Sequence, residues 1–579
     1  MKIVIIGGVA GGATAAARLR RCDESAQIVL VERGPYISFA NCGLPYHLSG
    51  AIATREQLLV TTAEHFAARY RVDVRTATEA VAIDRQRHEL RLRDAAGHET
   101  VERYDRLLLS PGAEALRPPL PGLDSPRVCT LRNIPDLDRI MQRLPQTRRA
   151  VVVGGGFIGL EVAENLHERG VRTTLVEAAP QVMAALDEEM AAIVHATLRQ
   201  HGVGLRLGER LERVVDDGAD AIVHLSSGRR LHADLVVLAI GVRPEVTLAR
   251  DAGLALGPRG GIQVDAFLRT SDADVYAVGD AIEVQQRISG QPALVPLAGP
   301  ANRQARLVAD NMLAADDSRR QRYRGALGTA VLKVFELGVA CTGLSEAHAH
   351  AQGIACRSTI THGGSHASYY PGAQPLALKL VWNDAGAIVG AQAVGAAGAD
   401  KRIDVIATAM HAGLDVRDLA ELELAYAPPF GSAKDPVNVA GYVAGNVLDG
   451  SSRIVDWRTL RARLDAGDAA LQLVDVRSAE EYAIGSLPGA RHIALDELRQ
   501  RLAELDPARP TVVFCQVGLR GYLALRILLQ HGFRDAANLS GGFKTYAWAC
   551  GRQDDPDIFD YEAIKRRPQS EIDVELDRA

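Results

Sequence analysis

Two cysteines stand where a thiol could act as a reagent. The stretch "YISFANCGLP", residues 36–45, holds Cys42 without a second cysteine nearby, and the chain has no C-x-x-C motif. Ser38 and Asn41 beside it are candidate donors, and donors at a helix start lower a thiol pKa and make it nucleophilic. With one sulfur in place, the second redox atom must come from elsewhere. A substrate thiol would give a mixed disulfide, a sulfane sulfur a persulfide, and oxygen a sulfenic acid. Cys515 opens the loop Cys-x-x-x-x-Arg that ends at Arg520, between an apolar strand pattern and a helical one. Such a loop turns several backbone N–H groups toward the sulfur, a cradle for a thiolate and then a persulfide anion.

The elements around Cys42 are those of nucleotide binding. "KIVIIGGVAGGATAAARLRR" reads as strand, glycine turn and helix, and "AQIVLVER" as the next strand. Gly7, Gly8, Gly11 and Gly12 form the turn, with Val9 in place of the middle glycine of G-x-G-x-x-G, and Glu32 closes the following strand. Glycines there allow a pyrophosphate to approach backbone N–H groups and a helix N-terminus. The pattern recurs in full at Gly154, Gly156 and Gly159, with Glu177 ending the next strand. A carboxylate in that place bonds a free ribose 2′-hydroxyl and repels a 2′-phosphate, which predicts NADH over NADPH. Two copies in one chain predict electron relay between two dinucleotides. A β-rich stretch follows each copy, and "TSDADVYAVGDA" brings Gly279 and Asp280 to a strand end.

The chain has 579 residues, enough for three to five domains. It is 47% hydrophobic and 24% charged with a net charge of −5, so no overall basic field points to nucleic acid. No run of about 18 apolar residues suggests a membrane span, and a cytoplasmic location is the expectation. Seven scattered cysteines, an odd number, do not read as a disulfide framework. Cys22, Cys129, Cys341, Cys356 and Cys550 carry no motif and read as structural. His362 and His366 have i,i+4 spacing, but no carboxylate or cysteine motif completes a metal site, so no metal is expected. "GNVLDGSSR" reads as a linker and residues 553–579 as a polar tail.

Up to about residue 446 these motifs resemble the flavoprotein disulfide reductases, and "SFANCGLPY" resembles their single-cysteine branch. That branch holds coenzyme A disulfide reductases, persulfide reductases, and NADH oxidases and peroxidases. The resemblance implies FAD in the first unit, with Asp280 on its ribityl chain and Cys42 against the flavin, and NADH in the second. "LLLSPGA" departs from the usual Ala-Thr-Gly at Ser110 and Pro111. It further implies coenzyme A contacts from Thr14, Arg18, Arg21, Ser38, Asn41, Arg71 and Lys434. It implies a homodimer in which "SHASYYPGA" and "YAPPFGSAKDP" reach the other subunit's flavin site, bringing Tyr426 and one of Tyr369 and Tyr370 to the reacting sulfur. Residues 455–552, with "DVRSAEEY" and "LPGARHIAL" beside the Cys515 loop, resemble a rhodanese domain, although Gly-Ser-Leu replaces the usual Gly-His-Ile.

The implied fold is α/β: two Rossmann-like domains (FAD and NAD), an α+β dimerisation domain and a rhodanese-like α/β domain. The implied boundaries are 1–112 with 245–325 for FAD, 113–244 for NAD, 326–446 for dimerisation and 453–552 for rhodanese. The expected activity is NADH-dependent reduction of a small-molecule sulfur substrate at Cys42: coenzyme A disulfide, coenzyme A persulfide or polysulfide. Cys515 would handle sulfane sulfur. The alternatives are an NADH oxidase or peroxidase using a Cys42 sulfenate, and a sulfur-carrier or sensor protein.

Overall fold

The computed structural model describes residues 1–550; the expected polar tail lies outside the described residues. The chain forms two compact units, Met1–Pro180 with Val203–Gly328, and Gln181–Gly202 with the residues from Thr329 onward. Residues 181–202, inside the segment expected for the NAD domain, thus pack with the second unit.

In the first unit "KIVII" and "QIVLV" are almost continuously buried, as strands covered on both faces must be. They lie centrally in a parallel sheet ordered Val275–Ala277, Arg106–Leu109, Lys2–Ile6, Gln27–Val31 and Asp73–Arg75. A second parallel sheet runs Gly204–Leu207, Arg172–Glu177, Arg149–Val153, Leu235–Leu238 and Val128–Cys129. The β-rich stretches after each copy are antiparallel three-stranded sheets, one over residues 78–103 and one over residues 211–233.

The repeat is exact at the level of backbone contacts. Gly7 N donates to Val31 O and Gly154 N to Val176 O, both at 2.8 Å. A Cβ on Gly12 would lie 1.8 Å from Gly7 O, and one on Gly159 1.8 Å from Gly154 O. Each helix therefore starts in contact with its strand, which only glycine permits.

The second unit is built on an antiparallel sheet ordered Ala330–Val334, Leu337–Gly343, Ile388–Gly395, Pro375–Trp382 and Arg357–Gly364. Helices Ala399–Ala412 and Pro436–Leu448 pack with it. The expected linker is shorter than "GNVLDGSSR", because Gly445–Leu448 complete the last turn of the second helix. Val447 there continues its buried face. A parallel sheet follows, ordered Ile454–Val455, Ala536–Leu539, Thr511–Phe514, Gln472–Asp475 and Arg491–His492.

That C-terminal body is seated on the antiparallel sheet by polar contacts. Ser540 Oγ accepts from Ile360 N at 3.1 Å, and His362 Nε2 meets Thr545 Oγ1 at 2.8 Å. Burial depresses the His362 pKa to about 3, so this ring is neutral. Trp457 Nε1 donates to Glu189 Oε2 at 3.1 Å. Glu189 belongs to a buried cluster in which the Lys379 ammonium lies 2.9 Å from Asp187, 2.5 Å from Glu189 and 2.8 Å from Glu346. These three carboxylates have the spacing of a metal site, and the lysine supplies the cation at its centre. Among the described residues no helix is long and apolar enough to cross a membrane.

Candidate functional site

Cys42 sits in a single 3-10 turn, Asn41–Gly43, that runs directly into the helix Leu44–Ser49. The expected donors do not serve its sulfur. Asn41 Nδ2 donates instead to Arg132 O at 3.0 Å, and Ser38 occupies a left-handed conformation (φ 45°). The thiol pKa is raised, contrary to the sequence expectation. The side chain is exposed at the surface, yet desolvation by the protein packed around it is the first cause and the Glu161 charge the second, with Arg132 opposing them.

Glu161 is on the helix Phe157–Glu168 that begins at the second glycine turn, and Tyr46 OH donates to it at 3.2 Å. Burial pushes the Glu161 carboxyl up to about 7 against that hydrogen bond, with Glu164 adding to the rise. A proton-holding group with a pKa near neutrality thus acts electrostatically on the thiol. Arg132 completes the surroundings: its guanidinium pairs with Asp280 at 2.6 Å and donates to Ala113 O at 3.1 Å.

Both glycine turns hold a glutamate from the end of the following strand. Glu32 accepts from Gly8 N at 2.8 Å and Gly34 N at 2.7 Å. Glu177 accepts from Gly155 N at 2.5 Å and Ala179 N at 2.7 Å. The carboxylates therefore brace their own turns. A Cβ on Gly156 would meet nothing within 4 Å, whereas one on Gly11 would lie 2.5 Å from Ser110 Oγ. The absence of packing at Gly156 fits a glycine kept for a close ligand, and these cradles fit a dinucleotide at each turn. Gly279 has φ +81° and presents Asp280 at the end of the strand Val275–Ala277.

Of the expected coenzyme A contacts, Thr14, Arg18 and Arg21 share one face of the helix Ala10–Cys22. Thr14 Oγ1 donates to Asn302 Oδ1 at 2.7 Å, and Arg18 forms a two-bond fork with Asp310 at 2.7 and 3.1 Å. Arg21 is exposed. Arg71, with φ 49°, is exposed and lies 3.4 Å from Glu24. Between them Arg20 is buried and donates to the carbonyls of Tyr70, Asp23, Glu24, Ala26 and Arg71, a purely architectural use of the same side chain.

In the second unit the two neighbouring tyrosines differ in their contacts. Tyr369 OH and Tyr426 OH lie 2.6 Å apart, while the Tyr370 ring packs edge-on against His366. All three tyrosines and Lys434 are exposed.

Cys515 is fully buried at the end of the strand Thr511–Phe514. Gly518 N donates to its sulfur at 3.1 Å and is the loop amide that bonds it, where several were expected. Arg520 is held by two bonds to Glu481, at 2.6 and 2.7 Å. Ser486, which replaces the usual histidine, donates to Asp475 Oδ2 at 2.7 Å, and Asp475 in turn pairs with buried Arg477. Arg477 reaches the loop through Gln516 Oε1 at 3.2 Å.

Comparison with known proteins bears on this arrangement. Residues 1–301 match the pyridine nucleotide-disulphide oxidoreductase family, residues 329–436 its dimerisation domain and residues 456–548 a rhodanese-like domain. The chain belongs to the pyridine nucleotide-disulphide oxidoreductase family. The coenzyme A disulfide reductase of Staphylococcus aureus (strain JH9) is 35% identical over 447 residues, 76% of this chain and 99% of that protein. The structure of reduced Bacillus anthracis CoADR-RHD is 46% identical with a TM-score of 0.91, covering 95% of this chain and 98% of that one. A NAD-dependent persulfide reductase from A. fulgidus is 36% identical with a TM-score of 0.88, covering 94% and 100%.

Sequence reasoning missed three groups of this oxidoreductase near Cys42, namely Tyr46, Glu161 and Arg132, and it missed Glu481 beside Arg520. Only Tyr46 carried a signal, being four residues beyond Cys42 and so able to face it across one helical turn. The others come from separate segments.

Proposed function

We propose that the chain uses NADH to reduce the sulfur–sulfur bond of a coenzyme A disulfide or persulfide at Cys42, with Cys515 passing sulfane sulfur to that reaction. The observation that carries this reading is the lone thiol of Cys42, set beside a near-neutral carboxyl and the Arg132–Asp280 pair, between two dinucleotide turns. The named relatives, reductases of coenzyme A disulfide and of persulfide, support the substrate class. Residues 1–112 with 245–325 would hold FAD and residues 113–244 NADH. FAD supplies, when bound, the two-electron relay between nicotinamide and sulfur.

The chain's own residues do the rest. Thr14, Arg18, Arg21, Ser38, Asn41, Arg71 and Lys434 bind the coenzyme A moiety, arginine forks suiting its phosphates. The Cys42 thiolate attacks one sulfur of the coenzyme A disulfide. A Cys42–S–S–CoA bond forms, the substrate S–S bond breaks, and the departing coenzyme A thiolate takes a proton. The Tyr369–Tyr426 pair, supplied across the dimer, steadies that thiolate and delivers the proton. Glu161 holds a proton close to Cys42 while the sulfur changes state. Two electrons from NADH then cleave the mixed disulfide, giving NAD⁺, a second coenzyme A thiol and free Cys42.

Steady-state NADH consumption with coenzyme A disulfide, coenzyme A persulfide, hydrogen peroxide and oxygen tests the reading. Turnover with either coenzyme A substrate, lost in Cys42→Ser with FAD retained, is expected. Turnover with oxygen or peroxide alone would overturn it in favour of an oxidase.

A further inference from the structure

The first unit holds a polar cavity of about 520 Å³ that neither glycine turn uses. Thr147 and Asp234, which precede the strands Arg149–Val153 and Leu235–Leu238, are part of its wall. It therefore opens at the N-terminal ends of this parallel sheet. The turn at Gly154–Gly159 leaves from the opposite, C-terminal ends, so the cavity and the dinucleotide cradle are on opposite edges of one sheet.

Four arginines, Arg117, Arg127, Arg139 and Arg143, line the cavity against two carboxylates, Asp124 and Asp234. Several of these charges already have partners. Asp234 is already engaged, accepting from Arg148 N and Arg149 N at 2.9 Å each. Arg127 is likewise tied, to Asp216 at 3.3 Å and to the carbonyls of Gly218 and Ala219. Among the described residues Arg117 donates only to Val128 O, at 3.2 Å, and Arg143 has no carboxylate partner. Arg139 pairs with Asp136 but remains largely exposed. The buried thiol of Cys129 lies in the same wall. Burial raises its pKa; Arg139, Arg143 and Arg117 oppose that rise and Asp136 adds to it.

We propose that this cavity binds a small phosphorylated anion, a phosphomonoester or a diphosphate, between Arg117, Arg139 and Arg143. Planar guanidinium groups bond phosphate oxygens in pairs, and two of these three have no competing carboxylate. The volume suits a small metabolite rather than a single ion. Cys129 supplies the apolar part of the wall and no chemistry.

Calorimetric titration of the FAD-loaded full chain tests this, with NAD⁺ and coenzyme A present at saturation so that other phosphate sites are filled. The probes are inorganic pyrophosphate, glucose 6-phosphate and inorganic phosphate. Saturable binding of pyrophosphate or glucose 6-phosphate, with a Kd below about 1 mM, is expected, and the tighter of the two identifies the ligand class. The double variant Arg117→Ala/Arg143→Ala should weaken it by about tenfold or more with the KM for NADH and the Tm unchanged. Absence of saturation by either organic or diphosphate probe, saturation by inorganic phosphate alone, or equal binding by the double variant would overturn the proposal.

Discussion

At the scale of single residues, the surroundings of Cys42 are set by a carboxyl that titrates close to neutral pH. A half-buried glutamate whose folded pKa is raised to about 7 is mostly neutral below that pH and charged above it. Its negative charge disfavours the neighbouring thiolate. Replacing Glu161 by Gln should therefore make Cys42 more reactive, and only above about pH 7. Iodoacetamide alkylation should be several-fold faster for Glu161→Gln than for wild type at pH 8, with the two rates converging at pH 6. Equal rates at both values would show that Glu161 does not act on Cys42.

The two thiols also divide the work. Cys515 has a loop amide on its sulfur and the Glu481-held Arg520 beside it, while Cys42 has the Arg132–Asp280 pair. Cys515→Ser should abolish sulfur transfer from thiosulfate to cyanide yet leave NADH-dependent reduction of a preformed coenzyme A persulfide largely intact. Cys42→Ser should do the reverse. If both variants lose persulfide reduction equally, the sites are not separable.

At the scale of elements, the second strand–turn–helix unit separates glycines that pack from glycines that leave room. Gly159→Ala drives a Cβ to 1.8 Å from Gly154 O, which pushes the helix from the strand. Overpacking of this kind costs about 1–3 kcal/mol or more, so both Tm and NADH binding should fall. Gly156→Ala meets no protein atom within 4 Å. Its Tm should stay near wild type while the KM for NADH rises by about tenfold, or 1.4 kcal/mol. Thermal melts and NADH titrations of the two variants decide the matter: an unchanged KM in Gly156→Ala would mean that the dinucleotide does not pass there.

At the scale of the whole molecule, the second unit is joined through buried charge. Lys379 is surrounded by Asp187, Glu189 and Glu346, and Glu189 also takes the Trp457 indole N–H from the start of the C-terminal body. Removing the ammonium leaves three carboxylates facing one another with the lysine gone. Lys379→Met should lower the unfolding free energy of this unit by about 3–5 kcal/mol, read as a shift in the urea midpoint. A shift below about 1 kcal/mol would mean that the cluster relaxes by taking up protons.

Each scale has its own share in the sequence. The dinucleotide turns, Glu32 and Glu177, the lone Cys42 and the Cys515–Arg520 loop were legible because each is a short-range pattern. Strand, turn and helix follow one another within about 30 residues, and the chemistry resides in the spacing. The repeat is visible in the sequence and returns as identical backbone contacts at Gly7 and Gly154. What the tertiary structure decided are meetings between distant segments. Glu161 reaches Tyr46 from 115 positions away, Arg132 reaches Asp280 from 148, and Lys379 reaches Glu189 from 190. The meeting of Tyr369 with Tyr426, 57 positions apart, belongs with these. So does the raised pKa of Cys42, which local donors would have lowered. Desolvation and a remote carboxylate reverse the sign, because both act through space and not along the chain.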